Sequence, residues 1–483
     1  MDSQKPSFHE AQLRHAKYYA SVLRMCNDLY RKGGAAINRA LEMFDSEWEN
    51  IRAEQAWTEA NTEKDVLAAE LCSTYPEAGV NCLSLRLRPD DRIKWLEAAL
   101  AAARRSQRRD AEGNHSGNLA EVYLRIGQPY KAFDLYEQAL RIAREIGNRR
   151  NEGMALGSLG VVYVALGQPD KAVEVCEQAM KIGFEIRNPR VIFVALDNLG
   201  LAYTTLGQLH KAIELYEQGL KITRTIGDRQ WEVNVLGDLG NAYADLGQLY
   251  KAIECHEQGL TIAREIGYRR GECNMLGNLG IAYIALGRFH EAIKYQEQSL
   301  IIAREINNRQ AECSALGNLG HAHIAIGQFH EASKFCEQAL NIADKIGDRQ
   351  SEAEALGNLG NINLALGQPH KAIEFYEQKL GIVRAIGNRR DECQTLGKLG
   401  LACAAFNQPH KAIECYEQTL KILREIGERR GEGMILGSMS LELYKLGDRA
   451  QAIAHAEAAL KIFEQINDPS AAVVRRQLAD LSR

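Results

Sequence analysis

Leu276-Gly277-Asn278-Leu279-Gly280 returns as Leu316-Gly317-Asn318-Leu319-Gly320 and again as Leu356-Gly357-Asn358-Leu359-Gly360. The closing glycine recurs every 40 residues from Gly160 to Gly400 with no slip in register. A leucine precedes each one, and an alanine follows twelve residues later, from Ala172 to Ala412. A fixed period of roughly 20–50 residues marks a repeat architecture, in which each unit buries its apolar face on its neighbour. A single unit of this length seldom folds alone, so the units must stack. Stacking produces a long surface, and the default use of such a surface is binding.

Within residues 189–228, Val194, Leu196, Leu199, Tyr203 and Leu206 recur at helical spacing until Gly207 stops the run. Leu209, Ala212, Ile213, Tyr216, Leu220 and Ile222 form a second stripe that ends at Gly227. Both glycines stand where a helix terminates through a residue of positive φ. Pro129, Pro169, Pro369 and Pro409 open second helices, where a missing N–H does no harm. Asn148, Asp228, Asp348 and Asn388 follow the second stop and suit the N-cap of the next helix. Each unit therefore reads as two antiparallel helices, A and B, each about 25 Å long. No strand signal occurs.

The pattern resembles the tetratricopeptide repeat. That family's W-x2-L-G-x2-Y and A-x3-F signature reappears as Leu196-x2-Leu199-Gly200-x2-Tyr203 and Ala212-x3-Tyr216. The departures are a leucine for the tryptophan, no closing proline, and a longer repeat than the usual ~34 residues. Long repeats of this kind look like those of Pins/LGN-type polarity scaffolds and, less closely, kinesin light chain. The resemblance implies an all-α superhelical solenoid of antiparallel helix pairs, with helix A on the concave side. Nine 40-residue units fill 109–468, a degenerate first repeat occupies 77–108, and 469–483 forms a capping helix whose Arg475, Arg476, Gln477 and Asp480 suit an outer polar face. Residues 1–76 form a helical, aromatic-rich segment outside the repeat register. Its stretch from Phe44 to Trp57 looks like the helical segment beside the nucleotide-binding module of STAND/NB-ARC-type ATPases, although no GxxxxGK[ST] loop is present.

Charge is nearly balanced, with 59 basic and 63 acidic residues. A nucleic-acid array would carry a basic stripe. Met1 to Glu10 is polar and no long apolar run occurs, so the expectation is a soluble cytoplasmic protein that binds neither nucleic acid nor membrane. The cysteines share repeat columns (Cys273, Cys313 and Cys393; Cys176 and Cys336; Cys255 and Cys415), as small buried apolar residues would.

Adjacent packed helices lie about 8–10 Å apart and an extended peptide advances about 3.3 Å per residue. One column of the groove thus meets a bound peptide at about every third residue. The column before each Leu-Gly is Asn118, Ser158, Asn198, Asp238, Asn278, Asn318, Asn358, Lys398 and Ser438. An asparagine amide both donates and accepts, matching a peptide group. In scaffolds that these repeats resemble, such a column grips the ligand backbone; the other reading has each amide bond to a neighbouring helix. Asn241, Asp245, His321 and Asn361 are further candidates on the concave face. The preceding column is nearly all glycine, from Gly157 to Gly437, at about 0.5–1 kcal/mol each against alanine. Either a ligand backbone approaches there or neighbouring helices pack tightly. The second glycine, at Leu-Gly, is expected to pack on the helix-B alanine.

His210, His290, His330, His370 and His410 stand one repeat apart, too far to share a zinc whose ligands lie at about 2.0–2.1 Å. Arg149, Arg229, Arg269, Arg309, Arg349, Arg389 and Arg429 lie at inter-repeat turns and suit salt bridges to nearby acids. No catalytic motif is present, so the expectation is no enzyme, no cofactor and no metal. The reading is a scaffold that binds an extended peptide of a partner protein along helix A. The alternatives are a sensor module of a STAND-type system lacking its own ATPase, or an array that self-associates through its N-terminal segment.

Overall fold

In the computed structural model the described residues are 7–31 and 35–482; residues 1–6 of the polar stretch Met1 to Glu10 lie outside them. Among the described residues there are 24 helices and no strand. The chain divides into two compact units, residues 1–278 and 279–483.

In the first unit, helices Phe8–Arg31 and Ala35–Asn61 pack on each other and on Val66–Ala78. The boundary expected at 76/77 falls inside this last helix, which runs on through Pro76. The break comes at Gly79, where a Cβ would lie 2.6 Å from Leu23. A short helix, Val80–Arg86, follows, and then Pro89–Arg105. Phe44, Trp48 and Trp95 stack in series, and Tyr75 Oη donates to the Ala16 carbonyl at 2.8 Å. Helix pairs then repeat, from Arg109–Arg125 with Pro129–Glu145 to Arg229–Asp245 with Leu249–Glu265. In the second unit they run from Arg309–Ala325 with Phe329–Ile346 to Arg429–Lys445 with Arg449–Gln465, closed by Ser470–Ser482.

The turn chemistry follows the sequence. Gly207 has φ 72°, its N–H donates to the Thr204 carbonyl, and Gln208 N–H reaches the Tyr203 carbonyl at 2.8 Å. These two bonds satisfy carbonyls that the helix end leaves open. Asn148, Asp228, Asp348 and Asn388 accept the backbone N–H three residues on. Ala132, Ala172, Ala212 and Ala252 in the first unit are fully buried, as are Ala332, Ala372, Ala412 and Ala452 in the second. No side chain beyond a methyl fits between the paired helices at these points.

The second glycine has a different cause from the one expected. A Cβ on Gly160 would meet Cys176 Sγ at 2.2 Å, one on Gly200 would meet Tyr216 at 2.5 Å, and one on Gly360 would meet Tyr376 at 2.5 Å. The crowding side chain lies four residues after the alanine, one turn further along helix B, where the residue is large enough to fill the glycine's notch.

Neighbouring repeats are clasped by arginine and glutamate. The Arg144 and Arg149 guanidiniums hold Glu152 at 3.0 and 2.6 Å, and Arg149 also reaches Glu185. Arg224, Arg229, Glu232 and Glu265 repeat the pattern, as do Arg384, Arg389, Glu392 and Glu425. Burial pushes the Glu152 carboxyl up, but the bonds and charges of its two arginines outweigh this and leave it below the usual carboxylate range. Around 184–192 the clasp is missing because Phe184, Pro189 and Ile192 occupy its positions; Phe193 stacks on Trp231 there instead, at 4.5 Å.

Ten of the cysteines are buried and Cys415 is partly so, and all are free. In the closing helix Gln477 does not face outward as expected. Its Nε2 donates to the Gly437 carbonyl at 3.0 Å, because this helix packs where the next helix A would stand.

Candidate functional site

Helix A positions the asparagine column by its period. Leu319 and Gly320 face helix B, so the preceding residue, Asn318, lies on the flank shared with the next helix A. In the second unit this flank borders a cavity of about 420 Å³. Asn318, Asn358 and Lys398 line it from three successive helices A, together with His321 and Asn361. Asn318 and Asn358 are half-buried and make no hydrogen bond to any described residue. A Cβ on Gly317, which also lines the cavity, would find open space. Asn361 accepts from Tyr376 Oη at 2.8 Å, which orients its amide.

Lys379 and Lys398 bring positive charge to the lining of this cavity. Lys379 Nζ pairs with Asp391 at 2.7 Å. Much of Lys398 stays exposed, yet desolvation lowers its ammonium pKa, the Lys379 charge lowers it further, and Asp391 opposes both. Lys379 and Asp391 escaped the sequence reading because they come from helix B and a helix start, outside the column. Glu354 completes the lining as a potential acceptor.

In the first unit the column divides. Asn118 and Ser158 line a second cavity, of about 410 Å³, with Glu121, Asn151 and Met154. Asn198 is engaged within the protein, its Nδ2 donating to the Gly157 carbonyl at 2.9 Å. This is the neighbouring-helix alternative for an asparagine of the column. Asp238 lies half-buried near Asp197, which takes the place of the first glycine. Burial raises both carboxyl groups, and the Asp197 charge raises Asp238 further; Asp197 Oδ1 is inaccessible and without a partner. The charge interrupting a glycine column was a visible signal of that pair. Asn241 and Asp245 are exposed, and Asn278 is half-buried, in the helix Arg269–Ala285.

The first-glycine column divides as well. Cβ atoms on Gly157 and Gly237 would press on Val194 and Met275 of the next helix A, at 3.0 and 2.7 Å, so neighbour packing explains these two. Gly117 and Gly317 face open space beside the two cavities. The histidines at the start of helix B are exposed, and among the described residues no group of three or more metal-binding side chains converges. Among the described residues no helix is long and apolar enough to cross a membrane.

The sequence matches the tetratricopeptide repeat family in overlapping windows that span 82–183 and 191–425. No catalytic family is matched, and no curated protein matches in sequence. The structure is similar to that of the signal transduction ATPase with numerous domains (STAND) with a tetratricopeptide repeat sensor from Pyrococcus horikoshii. The two are 14% identical with a TM-score of 0.56, over 88% of this chain and 67% of that one. It is also similar to the apo form of the quorum sensor NprR from B. thuringiensis, at 14% identity and TM-score 0.51 over 69% of this chain and 98% of that one. A putative kinesin light chain with nearly identical TPR-like repeats, from Podosopora anserina, is 26% identical with TM-score 0.34, over 40% of this chain and 95% of that one. At these identities the first two likenesses bear on fold.

Proposed function

Since the chain belongs to the tetratricopeptide repeat family, we propose that it is a non-catalytic, cytoplasmic scaffold that holds an extended peptide segment of a partner protein along helix A. The observation that carries this reading is the cavity of the second unit, where Asn318 and Asn358 present half-buried amides with no partner among the described residues. Both amides keep their donors and acceptors free for a peptide backbone threading the cavity, which each could meet with an N–H donor and a C=O acceptor. His321 and Asn361 border the same space and would contact side chains of the segment. Asn118 and Ser158 would form a shorter contact of this kind in the first unit, and Asn278 would make a contact of its own at the end of that unit. Asn198 is not available, and Asp238, Asp245 and Asn241 would set preference at their own repeats.

The test is a peptide selected from a displayed library on the full chain, with affinity measured by fluorescence anisotropy. The double variant Asn318→Ala, Asn358→Ala should lose at least about tenfold in affinity at unchanged thermal midpoint. Affinity equal to that of the unsubstituted chain would remove the groove reading. The STAND-sensor alternative is favoured by the fold similarity that extends over most of the chain. It predicts that deleting residues 8–76 abolishes an ATPase or effector contact while peptide affinity persists.

A further inference from the structure

A further cavity of the first unit adjoins the one that Asn118 and Ser158 line, with Arg150 in both walls. Its volume is about 830 Å³, and it lies between the N-terminal segment and the starts of successive helices A. Tyr30 and Asn81 form one wall; Arg150, Arg190 and Gln230, the second residues of three successive helices A, form the other. That volume is within the range of small-molecule sites, about 300–1,000 Å³.

Paired arginines at these helix starts have different electrostatic fates. Arg149 and Arg229, the first residues, are each held by two glutamates in the inter-repeat clasp. The second residue of each helix has its own expected partner, the N-cap of the next helix A. Arg430 shows that arrangement completed, with Asp468 at 2.8 Å. In the cavity wall the arrangement fails. Arg150 meets Asn188 in that place, a neutral residue, and makes no ion pair with any described residue. Arg190 approaches Asp228 at only 4.0 Å and leans over the Trp231 ring. Asp228 is the single carboxylate in the lining, and its Oδ1 already caps the helix by accepting from Trp231 N–H.

Burial pushes the Tyr30 hydroxyl up to about 12, so it stays protonated and able to donate. Three helix N-termini carry partial positive charge toward the same edge.

We propose that this cavity is a binding site for a small, multiply charged oxyanion, clamped by Arg150 and Arg190 between the N-terminal segment and the repeats. The guanidinium fork matches phosphate and carboxylate oxygens in two-point bonds, and Gln230, Asn81 and Tyr30 supply neutral hydrogen-bonding groups around it. A ligand there would join the N-terminal segment to repeats that are remote in sequence. The site shares no lining residue with the peptide cavity of the second unit and does not depend on it; in the first unit it shares Arg150 with the cavity that Asn118 and Ser158 line.

The experiment is isothermal titration calorimetry of the full chain with inorganic pyrophosphate and, separately, with citrate, at physiological ionic strength. Saturable binding of one anion per chain is expected. The double variant Arg150→Gln, Arg190→Gln should weaken it at least about tenfold, and Gln230→Glu, which adds a carboxylate and removes no cation, should weaken it comparably. Arg390→Gln, the same repeat position in the second unit, should leave it unchanged. Preference for pyrophosphate assigns a phosphate ligand, and preference for citrate a carboxylate one. Absence of saturable binding of either anion, or binding unaffected by both cavity variants, overturns the proposal.

Discussion

His256 stands in the helix-B column that elsewhere holds Tyr216, Tyr376 and Tyr416. Its ring is about 1% exposed, a Cβ on Gly240 would lie 2.4 Å from its Cε1, and its Nδ1 has no partner. Burial alone lowers its pKa from 6.5 to about 4. The folded protein thus keeps the ring neutral in a range where the unfolded chain protonates it. Its stabilising contribution is complete above pH 6.5 and declines as pH falls toward 4. Between pH 7 and pH 4.5 the loss works out at about 2.4 kcal/mol, from 1.36 kcal/mol per unit over that window. The perturbation is His256→Gln, a residue the next repeat carries in this column as Gln296. The assay is urea unfolding followed by tryptophan fluorescence, which reports the first unit because Trp48, Trp57, Trp95 and Trp231 all lie there. His115, lowered to about 4 mainly by burial, contributes equally to both proteins and cancels. The unsubstituted chain should lose about 2 kcal/mol more than the variant on acidification. Equal pH dependence of the two proteins would refute the assignment of a neutral, desolvated ring at this position.

The two glycine columns predict opposite signs. Gly360→Ala forces a methyl against the fully buried Tyr376 ring and should cost about 1–3 kcal/mol, whereas Gly317→Ala meets nothing and should stabilise by about 0.5–1 kcal/mol in chemical denaturation. Glu392→Gln removes the charge held by Arg384 and Arg389 and should cost about 1–2 kcal/mol at neutral pH. The folded Glu392 pKa is below its ordinary 4.5, so its stabilisation holds above that pH and is lost as pH falls through the folded value; the variant should show a shallower acid transition. Asn198→Ala breaks the bond to the Gly157 carbonyl and should lower the thermal midpoint by the equivalent of about 1 kcal/mol, in contrast to Asn318→Ala, which should leave it unchanged.

The repeat and its helix pairs were readable because each cue is local. Glycine stops, N-cap residues and the buried alanine act within one or two turns, and the 40-residue register multiplies them. The reason for the second glycine was not readable, since it depends on how far along helix B the packing point falls, a tertiary property. Residues of one column also diverge. Asn198 and Asn318 occupy the same repeat position, yet the first bonds to Gly157 and the second borders a cavity with Lys379 and Lys398. Which way an amide turns depends on the side chains of the adjacent helices, and Asp197 beside Asn198 shows how one substitution changes that setting. The wall formed by Tyr30 and Asn81 joins segments more than a hundred residues from Arg190, a distance no local pattern spans.

The most direct test of peptide-backbone recognition is a double-mutant cycle between Asn358→Ala and single amide-to-ester replacements along a bound peptide. Each ester removes one N–H donor while keeping the side chains. Recognition by the column predicts a coupling of about 1 kcal/mol at one ester position, and the same for Asn318→Ala about three residues away along the peptide. Strict additivity at every ester position would contradict the account.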